Sequence, residues 1–554
     1  MEQSLHNTTE VLIVGAGPTG LMMACQLAIH QVSFRIIDKK TTSSRNSGAL
    51  FVQARTLEIF DQMGIANEAM QEGNTADRID ILYNGKKIAG TSIKNIGSNL
   101  SKFPFVLMLE QAKTEKLLMK FLGERGVQVE RNVQFKSFTE DKESITTAVI
   151  MPDGSGQTIV SKYIIGADGS KSAIRNFLHI PFKGKTYSQP IFIMDCDAIT
   201  EISSGVISFS FTRKSVTGFF PLGDGRWRID GSFPEKIRKS ETINLETITK
   251  SFKRWNKLEF MQYNNEWFSV SHSQQKYART IRVGNCFLAG DSAHVNSPVG
   301  AQGMNTGLQD AHNLAWKLAF VLKHKANPGL LDSYSIERLG ISKGFARYAD
   351  MVFRLVTNTN FAVRHFRAFA LKMYFKKIFP KVENNEKSRL KFFKSISQID
   401  IHYKPAFGSK KALEKSFSVG TPKPGSRLPY VDFIYDNKKT NSHQILDATR
   451  FTLLVLGEEL TPEMKSISER YSIAILVIKR LPETEKIYTR LGITNSGYYL
   501  IRPDMYIGLR SATSVSSHLN QYLEQNLIAY QPAMLHPERD YPTEFNSNFV
   551  FINQ

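Results

Sequence analysis

The run Val11-Leu12-Ile13-Val14 leads without a break into Gly15-Ala16-Gly17-Pro18-Thr19-Gly20, and that junction limits what the chain can be. The apolar run reads as a buried parallel strand, and Leu21 to Ile29 as a helix with Leu21, Cys25 and Ala28 on one face. Between them Gly15 permits a tight turn, Gly17 lets backbone approach a pyrophosphate, and Gly20 lets the helix lie against the strand. The helix N-terminus then offers free N–H groups and a positive dipole end to the phosphates. Phe34-Arg35-Ile36-Ile37 is the next strand, and it ends in Asp38, about 20 residues beyond the loop, where a ribose hydroxyl needs an acceptor. A lone glycine pattern of this type is often an ordinary turn. The flanking strand and helix, with Asp38, make it a dinucleotide site that suits FAD or NAD rather than NADP, since an acid disfavours a 2′-phosphate.

Two later motifs narrow this to FAD. Ile164-Ile165-Gly166-Ala167-Asp168-Gly169 is followed by Ser172 and Arg175, and Gly290-Asp291-Ser292-Ala293-His294 runs through Pro298 and Gly303 to Met304 and Asn305. Asn285 to Ala289 resembles a short buried strand, and ligands of open α/β sheets collect at the C-terminal edge where Gly290 and Asp291 stand. Asp291 there can accept hydrogen bonds from ribityl hydroxyls; taken alone it would be a helix cap or turn aspartate. Beyond Gly303 a helix carries Leu308, Ala311, Ala315, Leu318 and Leu322 along one side. Its N-terminus, near Met304 and Asn305, would stabilise the anionic pyrimidine edge of a reduced flavin.

The totals set outer bounds. At 554 residues the chain needs two to four structural units. Strand-forming residues begin at Val11 without signal-peptide zones, and no apolar run approaches a membrane span of roughly 18 residues. Cys25, Cys196 and Cys286 are far apart, which excludes a disulfide framework, a zinc site or a dithiol centre and points to the cytoplasm. The net charge of +20 is concentrated between Arg364 and Lys415, where basic residues alternate with Phe, Met and Tyr. That stretch reads as a solvated helical face with inward aromatics, or as a surface for an anionic membrane. No nucleic-acid-binding motif accompanies it.

Gly205 to Phe211 alternates in a strand pattern, and Ser215 to Pro221 and Arg226 to Phe233 follow, the latter pair joined by the turn Gly223-Asp224-Gly225. An antiparallel sheet is expected between about 180 and 275. Phe209, Phe211, Phe219, Phe220 and Trp227 are its candidate substrate-wall residues, though most such residues serve a sheet core. No residue stands out as a catalytic acid or base. A helical stretch from about 330 to 400 ends before Gly420-Thr-Pro-Lys-Pro-Gly425, and then Phe451–Leu456, a helix near Pro462–Tyr471 and Ile473–Ile478 suggest βαβ. Tyr498–Ile501, Met505–Leu509 and a helix from Ser514 to Leu527 complete a ββα pattern.

The stretches GAGPTGLMMA, YIIGADGSKSAIR and GDSAHVNSPVGAQGMNTGLQDAHNLAWKLA resemble the class A flavoprotein monooxygenases, the aromatic hydroxylases related to p-hydroxybenzoate and phenol hydroxylases. The resemblance covers roughly residues 10 to 345. It implies that Arg45 and Gln111 also touch FAD, positions otherwise read as a loop charge and a helix-start residue. It implies that Asp168, otherwise a turn former, organises the pyrophosphate and pyridine-nucleotide region. Ser297 and Ala301 depart from the family's usual Pro and Gly. The C-terminal order resembles the thioredoxin-like domain of the phenol hydroxylase branch, which without cysteines implies a structural or dimer-contact role.

The implied architecture is α/β. A Rossmann-like FAD-binding domain (1–75, 105–180 and 275–345) carries an inserted β-sheet substrate domain (76–104 and 181–274). A helical linker (346–420) and a thioredoxin-like domain (421–554) follow. The implied reaction is hydroxylation of an aromatic or polyketide-like molecule: NADPH or NADH reduces FAD, and oxygen adds at the flavin 4a position. A dehydrogenase or oxidase on the same fold, and an escort-type binder, stay open as alternatives. The absence of a second GxGxxG domain, of a redox CxxxxC and of a WxWxIP element sets aside two-dinucleotide monooxygenases, disulfide reductases and flavin halogenases.

Overall fold

Thr8–Val14 sits between Gly156–Gly166 and Phe34–Asp38, parallel to both, because a strand of Val, Leu and Ile buried on two faces needs cover from each side. In the computed structural model the described residues are 7–43, 48–212, 215–233, 256–296, 302–341, 361–404, 420–457, 460–513 and 515–529, with single positions such as Leu245, Phe252 and Phe417 between them. Cys286–Leu288 adds a further parallel partner to Gly156–Gly166. The register aligns the ends of the four strands: Val14 pairs with Ile37 and with Gly166, and Gly166 with Leu288. Every loop that leaves this edge therefore starts from one row.

Helices Pro18–Ile29, Gln111–Gly123 and Gly303–Leu322 cover the sheet. The last is buried from Asn305 to Leu322 on all sides, beyond the single apolar stripe that its sequence marks. The reason is chemical. Its polar positions meet partners from later segments: Lys317 Nζ lies 2.8 Å from Glu337 Oε2, and Arg338 Nε donates to Asp310 Oδ1 at 2.6 Å.

The second sheet runs in the order His294–Val295, Phe260–Ala278, Phe182–Thr200, Arg226–Ser232, Val216–Gly223, Val206–Phe211, Arg78–Tyr83 and Lys86–Ser92. Between 182 and 278 every pairing among the described residues is antiparallel, as the sequence suggests, and the one parallel pairing joins Val206–Phe211 to Arg78–Tyr83, a strand from the earlier segment 76–104. The turn at Gly223, Asp224 and Gly225 has positive φ at all three residues, as a tight hairpin requires. His294–Val295 belongs to this sheet although it directly follows Gly290-Asp291-Ser292, so one short segment joins the two layers.

The C-terminal unit has a four-stranded sheet in the order Ala474–Ile478, Thr452–Leu456, Gly497–Ile501, Ile507–Ser511, the first pair parallel and the rest antiparallel. It is joined to the first unit by buried charges. Glu58 accepts from Arg427 at 2.9 Å and from Arg55 at 3.2 Å, and Arg55 donates to the Asp504 carbonyl at 2.8 Å. Arg502 clasps Glu337 at 2.5 and 3.0 Å and also Asp504. Burial acts against the Glu337 carboxylate, but Arg502 and Lys317 hold its pKa down at about 2. In the basic helix Phe361–Asn384, Phe375 and Phe379 pack toward Phe211 and Ile81, while Lys372, Met373, Tyr374, Lys376, Lys377 and Lys381 are exposed.

Candidate cofactor and substrate cleft

Above the aligned strand ends lies a cleft of about 560 Å³. Its floor is formed by Gly15, Gly17, Pro18 and Thr19 of the first loop, Asp38 to Lys40 of the second strand end, and Ala167 to Ser170 of the second motif. Asp291 and the segment from Gln302 to Met304 close one end, with Gln111 nearby; Gly48 to Phe51, Phe220, Arg228 and Asp230 stand opposite.

The three glycines act differently. Gly15 has φ +105, and a Cβ there would come 2.4 Å from the Ala167 carbonyl oxygen, so the first loop needs glycine both for its backbone and for its approach to the second motif. A Cβ at Gly20 would fall 1.8 Å from the Gly15 carbonyl oxygen. At Gly17 nothing lies within 4 Å, and this is the position that faces the cleft. The space is a cradle open at the helix N-terminus, where unpaired amides favour anions.

Hydrogen bonds lock the loops to one another. Asp38 Oδ2 accepts from the Ala16 amide at 2.6 Å and Oδ1 from the Lys40 amide at 2.8 Å. Arg175 donates to the carbonyls of Ser170 at 2.8 Å and Ser292 at 2.9 Å, tying the second motif to the third. Asp310 accepts from the Gly290 amide at 3.0 Å, and its carboxylate also lies 2.6 Å from His294 Nε2. Burial is outweighed at Asp310 by His294 and Arg338, which hold its carboxyl at about 2.

Several polar groups of the cleft have no partner among the described residues. Asp168 Oδ2 caps Ala173 at 2.6 Å, but Oδ1 is buried and unpaired; both side-chain polar atoms of Asn296 are likewise unpaired. Buried polar atoms left open in a cavity are best explained by a ligand that completes them. Asp291 opens to the cleft although protein surrounds it, and this enclosure pushes its carboxyl up, with His294 pulling the other way. A long ligand bearing phosphates at Gly17 and hydroxyls near Asp38 and Asp291 fits this donor and acceptor set.

The family described as FAD binding domain matches residues 8–349, and the aromatic-ring hydroxylase C-terminal family matches 421–527. The chain belongs to the FAD-dependent aromatic-ring monooxygenases. Among similar proteins, the aromatic compound monooxygenase YhjG of Bacillus subtilis is 30% identical over 90% of this chain and 93% of its own length. The 6-methylpretetramide 4-monooxygenase of Streptomyces rimosus is 34% identical, over 60% of this chain and only 59% of that relative. Among solved structures, the flavin-dependent monooxygenase PieE, in complex with FAD and substrate, aligns with a TM-score of 0.76 at 20% identity, covering 94% of this chain and 99% of that one. OxyS anhydrotetracycline hydroxylase from Streptomyces rimosus aligns at 0.73 and 23%, with the same coverage. At these identities the structural likeness speaks for the fold.

In this monooxygenase the residues singled out in the sequence divide into three groups. Gly15, Gly17, Pro18, Thr19, Asp38, Gln111, Asp168, Asp291, Gly303 and Met304 line the cleft. Gly20, Gly290 and Asn305 stand behind it. A Cβ at Gly290 would meet Thr19 Oγ1 at 2.3 Å, and the Asn305 side chain is spent on Gln53, Thr56 and the Phe51 carbonyl. Asn305 is thus a pin between the central helix and the segment at Phe51, not a cleft-facing group. Arg45 and Pro298, with Ser297 and Ala301, lie outside the described residues.

The substrate-wall reading needs correction. Only Phe220 of the five aromatics lines the cleft, with Phe209 packed edge-on against it at 5.7 Å. Phe219 packs on Phe252 and Phe260, Trp227 joins the same second core, and Phe211 turns toward Phe375. Strand alternation sends neighbours to opposite faces, and the sequence alone does not say which face is the cleft. Sequence reasoning missed Asn296, Gln302, Arg228 and Asp230. For the last two the only available signal was a charge within an otherwise buried strand.

Proposed function

We propose that this protein hydroxylates an aromatic or polyketide-like small molecule, with NAD(P)H as reductant and dioxygen as the oxygen source. The observation that carries the reading is one cleft onto which loops from all three motifs open, faced by Phe220 of the second sheet and by Phe51. FAD, when bound, supplies the acceptance of hydride and the transfer of oxygen. The chain's own residues do the rest. Gly15 to Thr19 and the helix behind them would hold the pyrophosphate, Asp38 the ribose and Asp291 the ribityl hydroxyls. The helix N-terminus at Gly303 and Met304 would stabilise negative charge on the pyrimidine edge. Phe51 and Phe220, 5.4 Å apart edge to face, keep water from the reacting side.

The C-terminal unit serves architecture rather than redox chemistry, since all three cysteines lie outside it, buried and free. Buried free thiols suit the reducing cytoplasm, and among the described residues no helix is long and apolar enough to cross a membrane.

A panel of phenols and polyketides tests the reading: one compound should accelerate NADPH oxidation and yield a product one oxygen atom heavier by mass spectrometry. Oxidation of the substrate without oxygen gain would instead mark a dehydrogenase or oxidase. Asp291→Ala should give folded protein that has lost most of its yellow colour, and full flavin occupancy would remove Asp291 from the site.

A further inference from the structure

The strand Arg226–Ser232 carries one carboxylate into the cleft. Asp230 lies opposite Gly218 on the neighbouring strand. A Cβ at Gly218 would stand 2.6 Å from the Phe220 ring and 2.8 Å from Asp230 Oδ1. The glycine therefore leaves the gap in which an aromatic ring and a carboxylate sit together. Phe51 and Phe209 flank Phe220 edge-on, so the acid is set in an aromatic slot.

Its charged surroundings are specific. Arg228, two residues before it, is 3% exposed and already committed: Asp195 accepts from it at 2.7 and 2.6 Å and the Ala49 carbonyl at 3.0 Å. The strand Phe182–Thr200 on one side contributes that Asp195, and the strand Val216–Gly223 on the other contributes no charge. The other charged residues that line the cleft are Asp168, Asp291, Asp38 and the two lysines that follow it, Lys39 and Lys40, and of the cations only Arg228 acts on Asp230. Among the described residues, then, the aromatic end of the cleft holds an acceptor and no uncommitted cation.

We propose that Asp230 selects the substrate, accepting a hydrogen bond from a hydroxyl on a neutral aromatic or polyketide and discriminating against aromatic carboxylates. The inference rests on the hydroxylase reading and adds the substrate class. A carboxylate substrate would meet repulsion and, among the described residues, no uncommitted counter-ion, whereas a hydroxyl donor satisfies a partly desolvated acceptor. Burial pushes the Asp230 carboxyl up to about 7, with Arg228 and the Gly218 amide opposing. Its charged acceptor form therefore prevails above that pH and gives way to the weaker neutral acid below it.

The test uses the FAD-loaded enzyme and three probes, naphthol, methoxynaphthalene and naphthoate, whose binding is read from perturbation of the flavin spectrum. Naphthol should bind about tenfold to a hundredfold tighter than either analogue. Asp230→Leu should erase that preference while leaving methoxynaphthalene affinity and flavin content unchanged. Lowering the pH from about 8 to about 6 should weaken naphthol binding in the native enzyme. Asp230→Asn, which retains a neutral acceptor, should give intermediate affinity without this pH dependence. Absence of naphthol binding, naphthoate as the tightest probe, or an unchanged preference in both variants overturns the proposal. Because these readouts are equilibrium affinities, they separate it from the reaction. Oxygen insertion with Asp230-independent binding sinks this inference alone; Asp230-dependent binding without oxygen insertion sinks the hydroxylase reading alone.

Discussion

The floor and the roof of the cleft are built on different rules. The floor is backbone: four parallel strands end in register, and the loops that leave them present amides, glycines and capped turns. The roof is side chain: two neighbouring antiparallel strands offer Phe220 from one and Arg228 and Asp230 from the other, while Phe219 and Trp227 serve the core behind. A floor of this kind tolerates few residue types but many ligand tails, whereas a roof can change its ligand by single substitutions. On the proposed reading, cofactor binding and substrate choice fall to separate layers, joined at the segment Gly290 to Val295.

The neighbours Phe219 and Phe220 offer the hardest test of that division. Phe219→Ala should cost about 3–5 kcal/mol of stability in urea unfolding, as for a fully buried ring, with the cleft still taking up FAD. Phe220→Ala should act mainly on substrate, raising KM several-fold at unchanged flavin content. Equal effects of the two on KM would break the comparison. On the floor, Gly15→Ala should cost about 2–3 kcal/mol, combining a positive φ with overlap against the Ala167 carbonyl, and should lower flavin occupancy. Full retention of both stability and flavin would mean that the loop relaxes freely.

A smaller effect sharpens the picture at the joint between the layers. The Asp310 carboxyl is held at about 2 against an ordinary value of 3.8, so its contribution is complete above the ordinary value and is lost as pH falls toward 2. The loss should be on the order of 2 kcal/mol, read from urea midpoints over that range, and Asp310→Asn should flatten it. An unchanged pH slope in the variant would place the acid sensitivity elsewhere.

How much was legible follows the same division. Gly15, Gly17, Asp38 and Asp291 were readable because each loop is contiguous and the glycine spacing has one main physical use. The elements of the second sheet were readable from alternation, but the cleft-facing set was not, since a period of two fixes opposite faces without naming them. Asn305 marks the helix N-terminus in the sequence, but the pattern says nothing of its side chain, whose three bonds here are internal. Asp230 carries no local signature; its significance comes from Gly218 on another strand and from Asp195, which occupies Arg228. The parallel pairing of Val206–Phe211 with Arg78–Tyr83 was hidden for a related reason, as long-range partners leave no trace in either strand.

The charges that join the C-terminal unit to the rest have a consequence for how the chain can be divided. Glu58 and Glu337 belong to the nucleotide-binding part, yet their counter-ions Arg427 and Arg502 come from beyond residue 420. Cutting the chain there would leave Glu58 with Arg55 and Glu337 with Lys317, but would remove the second cation from each acid and the Asp504 carbonyl from Arg55. The flavin-binding half therefore shares one buried charge network with the tail, and shuffling that tail between relatives would have to carry both arginines along.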